Sequence, residues 1–328
     1  MIGAIDIRWL LSLMIASVLV LAAPVRAADY PLKPIKIIVP FPAGSASDLR
    51  TRKLAEQLGP KLGQSVIVEN RPGAAGTIGA GVVARSAPDG YTLLYATNSI
   101  LSVAPHVQPS AGFDPLTAFA VVSHVANTPL VVVIPSSLPA QSLREFIALA
   151  KRQPGSLAYG TSGVGSIQHI GIEQLAEMSG MRLLHVPYKG ESEVLTGLLG
   201  GQVQMGYCTL MVCLPHMKNG KLRALGVTSA RRFPTLPNVP TVAEAGAPGY
   251  ELQATGGLFA PAATPKPVLD KLYRASESVI RSPDMMAWTV ANGSEVGTAT
   301  PQEFMTMIRQ DHARYGAIVK KLGILAGE

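Results

Sequence analysis

The sequence is poor in the residues that metal sites and nucleic-acid interfaces require. It has two cysteines, 5% aromatic residues and no run of Lys or Arg longer than two. No Cys/His cluster accompanies Cys208 and Cys213, so neither a metal nor a cofactor is expected. Despite the net charge of +7, the scattered basic residues and scarce aromatics argue against nucleic acid as a partner.

A long apolar run is also missing beyond the amino terminus. Residues 10–23 form an apolar stretch of 14 residues, which fits the core of a signal peptide and is shorter than the ~20 residues of a membrane-spanning helix. Val25 and Ala27 stand where a signal peptidase reads, so cleavage is predicted after Ala27, with a periplasmic mature protein. The alternative is an uncleaved membrane anchor.

The cysteines permit two interpretations in an exported protein. Cys208 and Cys213 lie in the apolar stretch MGYCTLMVCL. In an oxidising compartment they either form a disulfide or remain buried thiols, and a separation of five residues leaves both geometries open.

Strand-like and helix-like segments alternate along the mature chain. Residues 35–40, 65–69 and 91–97 are strand-like and are separated by helical patterns, which predicts a mostly parallel α/β unit. The same alternation recurs between residues 130 and 229. Two such units predict two lobes. Residues 28–129 and 252–328 are assigned to lobe 1, and residues 130–251 to lobe 2; the terminal helices are expected to pack on lobe 1.

Two loops with the same pattern join a strand to the start of a helix. The first loop, residues 42–48, reads PAGSASD; the second loop, residues 161–166, reads TSGVGS. Small residues let an anion approach the unpaired N–H groups of a helix start. Each loop alone also fits an ordinary capped turn, but their recurrence predicts a carboxylate site between the lobes.

Other candidate residues lie at neighbouring strand ends. Thr97 and Asn98 end a strand of lobe 1, Tyr188 offers a hydroxyl and Lys189 a charge. His169 follows the second loop and also fits a partly buried helix position. The predicted ligand-binding residues are Phe41, Pro42, Ala43, Gly44, Ser45, Ser47, Asp48, Thr97, Asn98, Thr161, Ser162, Gly163, Gly165, Ser166, His169, Tyr188, Lys189, Gly190 and Cys208.

Motifs for nucleotide binding and catalysis are weak. Residues 79–84 fit a loose G-x-G-x-x-A pattern, but they do not directly follow a strand and no acid lies about 20 residues on. Residues 160–164 miss the last glycine of G-x-S-x-G. A hydrolase using Ser162 or Ser166 with His169 lacks an evident orienting acid and oxyanion hole, so no enzyme activity is expected.

Several longer segments together resemble one family. They include YPLKPIKIIVPFPAGSASD, VIVENRPGAAGTIGA, YGTSGVGSIQHI, HVPYKG and GKLRALGVTSARRFPTLPNVPTVAEAG. The chain is similar to the Bug-type receptors of tripartite tricarboxylate transporters. The resemblance implies a type II periplasmic-binding-protein fold, in which two α/β lobes are joined by two crossover strands around a ligand cleft. It also implies capture of a small carboxylate, without catalysis, and delivery to membrane permease subunits by a chain expected to be monomeric.

Departures from the family pattern bear on the ligand. Family members often carry an Asp where this chain has Cys208, which argues against an amino-acid ligand. An aromatic pair usually precedes the GLFAPA-like segment, whereas Thr255 and Gly256 stand here, which predicts a wider or reshaped pocket. A ligand-binding partner of a signalling system would have the same fold and remains an alternative function.

Overall fold

The computed structural model describes residues 30–108 and 112–324, so the predicted signal peptide lies outside the described residues. The strands are β1 (Ile35–Val39), β2 (Val66–Asn70), β3 (Thr92–Thr97), β4 (Phe119–Pro135), β5 (Ala158–Thr161), β6 (Leu184–Pro187), β7 (Met205–Thr209), β8 (Leu222–Val227), β9 (Gln253–Pro261) and β10 (Glu295–Val296). The helices are α1 (Ala46–Leu62), α2 (Thr77–Ala84), α3 (Ala104–Val107), α4 (Leu143–Arg152), α5 (Ile167–Ser179), α6 (Glu191–Leu199), α7 (Leu210–Lys218), α8 (Val242–Ala245), α9 (Lys266–Ile280), α10 (Pro283–Ala291) and α11 (Pro301–Leu322).

The first sheet has the strand order β2-β1-β3-β9-β4. β1 is parallel to β2 and β3, whereas β9 is antiparallel to β3 and β4. Ile37 of β1 is fully buried in one core with Leu54 and Leu58 of α1. Because β1 and β3 are parallel, their carboxyl ends meet at one edge of the sheet, where the first loop also lies.

The second sheet has the order β4-β7-β5-β6 and repeats this arrangement. β5 is parallel to β6 and β7, and β4 is antiparallel to β7 and β8. Phe146 of α4, Tyr159 of β5 and Leu175 of α5 share its core. The carboxyl ends of β5 and β7 therefore lie at one edge of the sheet, where the second loop also lies.

One long strand belongs to both sheets. β4 pairs with β9 as far as Pro129, and from Leu130 onward it pairs with β7. The apolar run had predicted only its second half, because His124, Asn127 and Thr128 interrupt the first half. The chain crosses back at β9, so two strands link the sheets.

The C-terminal helix contacts both cores. Phe304 and Ile308 of α11 pack in a core of the first sheet with Phe259 of β9. Tyr315 and Val319 instead pack in the core of the second sheet. The terminal helices had been expected on the first lobe, and for α11 this describes only its first half. None of the helices within the described residues is both long and apolar enough to cross a bilayer.

Candidate functional site

A cavity lies between the two sheets at the carboxyl ends of their strands. Its volume is about 60 Å³. It is lined by Phe41, Ser45, Ala46, Ser47, Thr97, Ser99, Leu130, Ser162, Ile167, Gln168, Glu191, Thr209 and Ala254. Most of these residues come from the starts of α1, α5 and α6 and the ends of β3 and β7, which is the usual ligand crevice of an open α/β sheet, and Leu130 and Ala254 come from β4 and β9.

An internal carboxylate holds the first loop in shape. The Asp48 carboxylate accepts hydrogen bonds from the Gly44 N–H and the Asn70 Nδ2, each at 2.9 Å, and pairs with Arg52 Nε at 3.0 Å. Burial raises the pKa of Asp48, but these bonds outweigh it and the pKa lies below its usual value. The Ser45 hydroxyl caps α1 by accepting from the Asp48 N–H at 3.3 Å. Asp48 therefore shapes the loop and does not line the cavity.

Two stacked imidazoles support the second loop. The rings of His169 and His185 lie 4.0 Å apart at 11°, and the Thr161 hydroxyl bonds to His185 Nε2 at 2.7 Å. The Gly165 N–H donates to His169 Nδ1 at 3.3 Å, which requires an unprotonated Nδ1. Burial lowers the pKa of His169 to about 3 and that of His185 to about 4. His169 is thus a neutral support beneath the loop.

The two sheets approach each other closely around the cavity. The Ile167 N–H at the start of α5 donates to the Ser99 hydroxyl at 3.0 Å, and Gln108 Nε2 donates to the Val164 carbonyl at 3.2 Å. A Cβ added at Gly190 would lie 2.6 Å from Pro42 Cδ, so only glycine permits this approach. These contacts give the structure a closed arrangement around a small cavity.

Glu191 is the one ionisable residue among those described as lining the cavity. It is 6% exposed, and the Thr209 N–H donates to its Oε1. Burial raises the pKa of Glu191 to about 7, although the backbone N–H groups of Thr209 and Ala46 and the charge of Arg50 lower it. Sequence reasoning overlooked Glu191, yet a signal was present in an acidic residue directly after the PYKG segment.

The predicted site residues divide into two groups. Phe41, Ser45, Ser47, Thr97 and Ser162 line the cavity. The remainder stand behind or beside it: Pro42, Ala43, Gly44, Asp48, Asn98, Thr161, Gly163, Gly165, Ser166, His169, Tyr188, Lys189, Gly190 and Cys208. Leu130, Ile167, Thr209 and Ala254 also line the cavity, and no local pattern marks them.

Several of these side chains have other structural roles. Asn98 Nδ2 donates to the Gln253 carbonyl at 2.9 Å and so fixes the end of β3 to β9. The Ser166 hydroxyl caps α5 by accepting from the His169 N–H at 3.2 Å. The hydroxyl of Tyr188 lies 3.5 Å from Gln202 Oε1, and Lys189 is exposed, so neither reaches the cavity.

Cys208 and the crossover glycines occupy the core. Cys208 and Cys213 are free thiols, both fully buried. A Cβ added at Gly256 would lie 2.4 Å from the Tyr95 hydroxyl oxygen, and one at Gly257 would lie 2.3 Å from the Phe304 ring. Tyr95 therefore occupies the space beside Gly256, and the wider or reshaped pocket stays a prediction.

Comparison with known proteins agrees with this architecture. The curated protein BugT of Bordetella pertussis is 36% identical over 304 residues, covering 92% of this chain and 93% of BugT. The solved structure of the periplasmic binding protein BugD is 34% identical, covers 90% of this chain and 99% of that chain, and superposes with a TM-score of 0.86. This likeness confirms the predicted two-lobe type II periplasmic-binding-protein fold.

Two similar structures contain carboxylates. An R. palustris protein with adipate is 33% identical, with a TM-score of 0.88 and coverage of 90% of this chain and 99% of that chain. MatC from Rhodopseudomonas palustris with bound malate is 28% identical, with a TM-score of 0.84 and coverage of 88% and 100%. Residues 50–324 match the profile TctC, described as tripartite tricarboxylate transporter family receptor. The chain therefore belongs to this family of periplasmic solute-binding receptors, which are not enzymes.

Proposed function

We propose that this protein captures a small organic carboxylate in the cavity between its sheets and delivers it to the permease subunits of a tripartite tricarboxylate transporter. The observation that carries the proposal is the convergence of the starts of α1 and α5, one from each sheet, on a single cavity. Helix starts present N–H groups and partial positive charge to an anion. The hydroxyls of Ser47, Ser99 and Ser162 add donors at the same place.

Lobe closure supplies the capture step in this proposal. We assign residues 28–129 and 252–328 to lobe 1 and residues 130–251 to lobe 2, with the hinge at Pro129 and Gln253, where β4 changes partner and β9 begins. The contact between Ser99 and Ile167 then forms only when the lobes are closed. A hinge motion of this kind buries a bound anion.

The cellular setting in the proposal follows from the family and the sequence. Export would use the signal peptide of residues 1–27, with cleavage after Ala27, and the mature protein would act as a monomer. Carboxylates in the related adipate and malate structures support the ligand class.

The test is a thermal-shift screen of purified residues 28–328 against mono-, di- and tricarboxylates and amino acids, followed by calorimetry. A ligand at 100 times its Kd should raise the free energy of unfolding by about 2.7 kcal/mol. Ala254→Phe, which places a ring in the cavity, should abolish the shift, whereas Ser278→Ala on the exposed face of α9 should retain it. The proposal fails if no carboxylate stabilises the protein, or if Ala254→Phe binds as well as the natural chain.

A further inference from the structure

The cavity of a carboxylate receptor contains a carboxylate of its own. Glu191 is the first residue of α6 and reaches the cavity beside the end of β7. Among the described lining residues no Lys or Arg faces it. Whatever binds here therefore shares a small space with a carboxyl group that is partly ionised near neutral pH and whose ionised form an adjacent cation would favour.

The charge of Glu191 is only partly compensated by its surroundings. The Thr209 N–H donates to Oε1, and the Ala46 N–H at the start of α1 lies close enough to lower the pKa. Arg50 is the nearest cation, but its guanidinium donates to the hydroxyls of Thr128 at 3.0 Å and Ser294 at 2.5 Å. The charge of Arg50 therefore acts on Glu191 through space and not through a hydrogen-bonded pair.

A bare dicarboxylate would meet this site unfavourably. A second carboxylate near Glu191 would place two like charges in a buried space, which disfavours the ionised forms of both. A nitrogen bearing protons would instead donate a charge-assisted hydrogen bond, among the strongest that a buried site offers. Discrimination by such a repulsive element is a common basis of specificity.

We propose that Glu191 is the specificity-determining residue of this site and selects a small carboxylate that also carries an ammonium group. This inference rests on the proposed function and adds the chemical class of the ligand. The carboxylate of the ligand would face the serine hydroxyls and the start of α5, and its ammonium group would face Glu191.

Cys208 does not face the cavity, and this bears on the class of ligand. The missing acid at that position argued against an amino-bearing ligand, but the Cys208 side chain lies in the core with Cys213 and Val131. Burial raises the pKa of both thiols, and the charge of Glu191 adds to this shift. An acid is thus present at the cavity, supplied by α6 instead of β7.

Matched pairs of probes test this assignment by calorimetry on residues 28–328. The pairs are aspartate and succinate, glutamate and glutarate, 3-aminopropionate and propionate, and 2-aminoadipate and adipate. In the pair that binds most tightly, the amino-bearing member should bind at least ~10-fold more tightly, the ratio expected from one charged hydrogen bond. Glu191→Gln should remove this preference, Glu191→Asp should retain part of it, and Glu193→Gln on the exposed face of α6 should leave it unchanged.

The outcomes separate the two proposals. If carboxylates bind without preference for the amino-bearing member, or if Glu191→Gln keeps the preference while unfolding cooperatively, the role of Glu191 is wrong and carboxylate capture stands. If no probe and no carboxylate of the wider screen binds the natural chain, the proposed function fails and the role of Glu191 fails with it.

Discussion

The first and second loops have the same sequence pattern but are stabilised by different interactions. In the first loop, the ionised carboxylate of Asp48 accepts hydrogen bonds from Gly44 and Asn70 and pairs with Arg52. In the second loop, the neutral imidazoles of His169 and His185 stack beneath the backbone. The first loop is therefore supported by an ionised carboxylate and the second by neutral imidazoles. The two loops should respond differently to pH and mutation.

The largest expected effect is acid sensitivity of the second loop. An unfolded imidazole binds a proton near pH 6.5, whereas folded His169 does so only near pH 3, so protons favour the unfolded state. Stability present above pH 6.5 is therefore lost as the pH falls. Between pH 7.5 and pH 5.0 the loss from His169 should be roughly 2 kcal/mol, and His185, which is more exposed, should add less.

Urea unfolding of the natural chain and of His169→Gln at these two pH values measures the effect. Titrating groups other than the His169–His185 pair act in both proteins, so the difference between them isolates the stacked imidazoles. An equal loss of stability in both proteins would contradict a neutral, buried His169.

A slightly smaller effect is expected from removing the charge of the first loop. Asp48→Ala leaves the Gly44 N–H, Asn70 and Arg52 without their acceptor, and should lower the free energy of unfolding by about 2 kcal/mol. Asp48→Asn should cost less because an amide oxygen still accepts. Asp284→Ala, at an exposed acid of α10 that pairs with Lys53, should change stability by less than about 0.5 kcal/mol. Denaturation at pH 7.5 checks this order, and equal costs for Asp48→Ala and Asp284→Ala would refute it.

The smallest expected effect comes from replacing one glycine in each loop with alanine. Gly44 has φ 77° with nothing within 4 Å of an added Cβ, whereas Gly165 has φ 82° and an added Cβ would lie 3.3 Å from Val107 Cβ. Gly44→Ala should cost about 1 kcal/mol from backbone strain alone. Gly165→Ala should cost somewhat more and should also weaken ligand binding, because it would push the second loop away from Val107 of α3, which precedes β4 in the chain but packs in the core of the second sheet. Unfolding and calorimetry distinguish the two, and equal binding by both variants would contradict the closed arrangement.

The sequence predicted the parts of the fold that are encoded locally. The apolar runs and small-residue loops identified β1, α1, β5 and α5, because strand, cap and helix start are adjacent in the chain. The first half of β4 was missed because it contains buried His124 and half-buried Asn127. Their side chains bond to each other at 3.0 Å, a pairing that hydrophobic periodicity does not show.

The site residues were likewise predictable only where a local pattern in the chain marks them. Ser45, Ser47 and Ser162 were found because their loops carry a local pattern. Glu191 and Thr209 meet only through the pairing of β7 with its neighbours and the packing of α6, so no spacing in the chain places them together. The position of Glu191 directly after the PYKG segment was visible in the sequence, but its contact with Thr209 at the cavity was not.

The helix α11 adds a mechanical consequence to this architecture. With 22 residues it is about 33 Å long, and its two halves pack in the cores of different sheets. Its outer end pairs Lys321 with Glu177 of α5 at 2.8 Å. The sheets are thus joined covalently through the strands β4 and β9 and noncovalently through the packing of α11. In the proposed hinge motion, rotation about the strands would require α11 to bend or to release Tyr315 and Val319 from the core of the second sheet. The energy needed to open the cleft would then be set partly by residues far from the ligand.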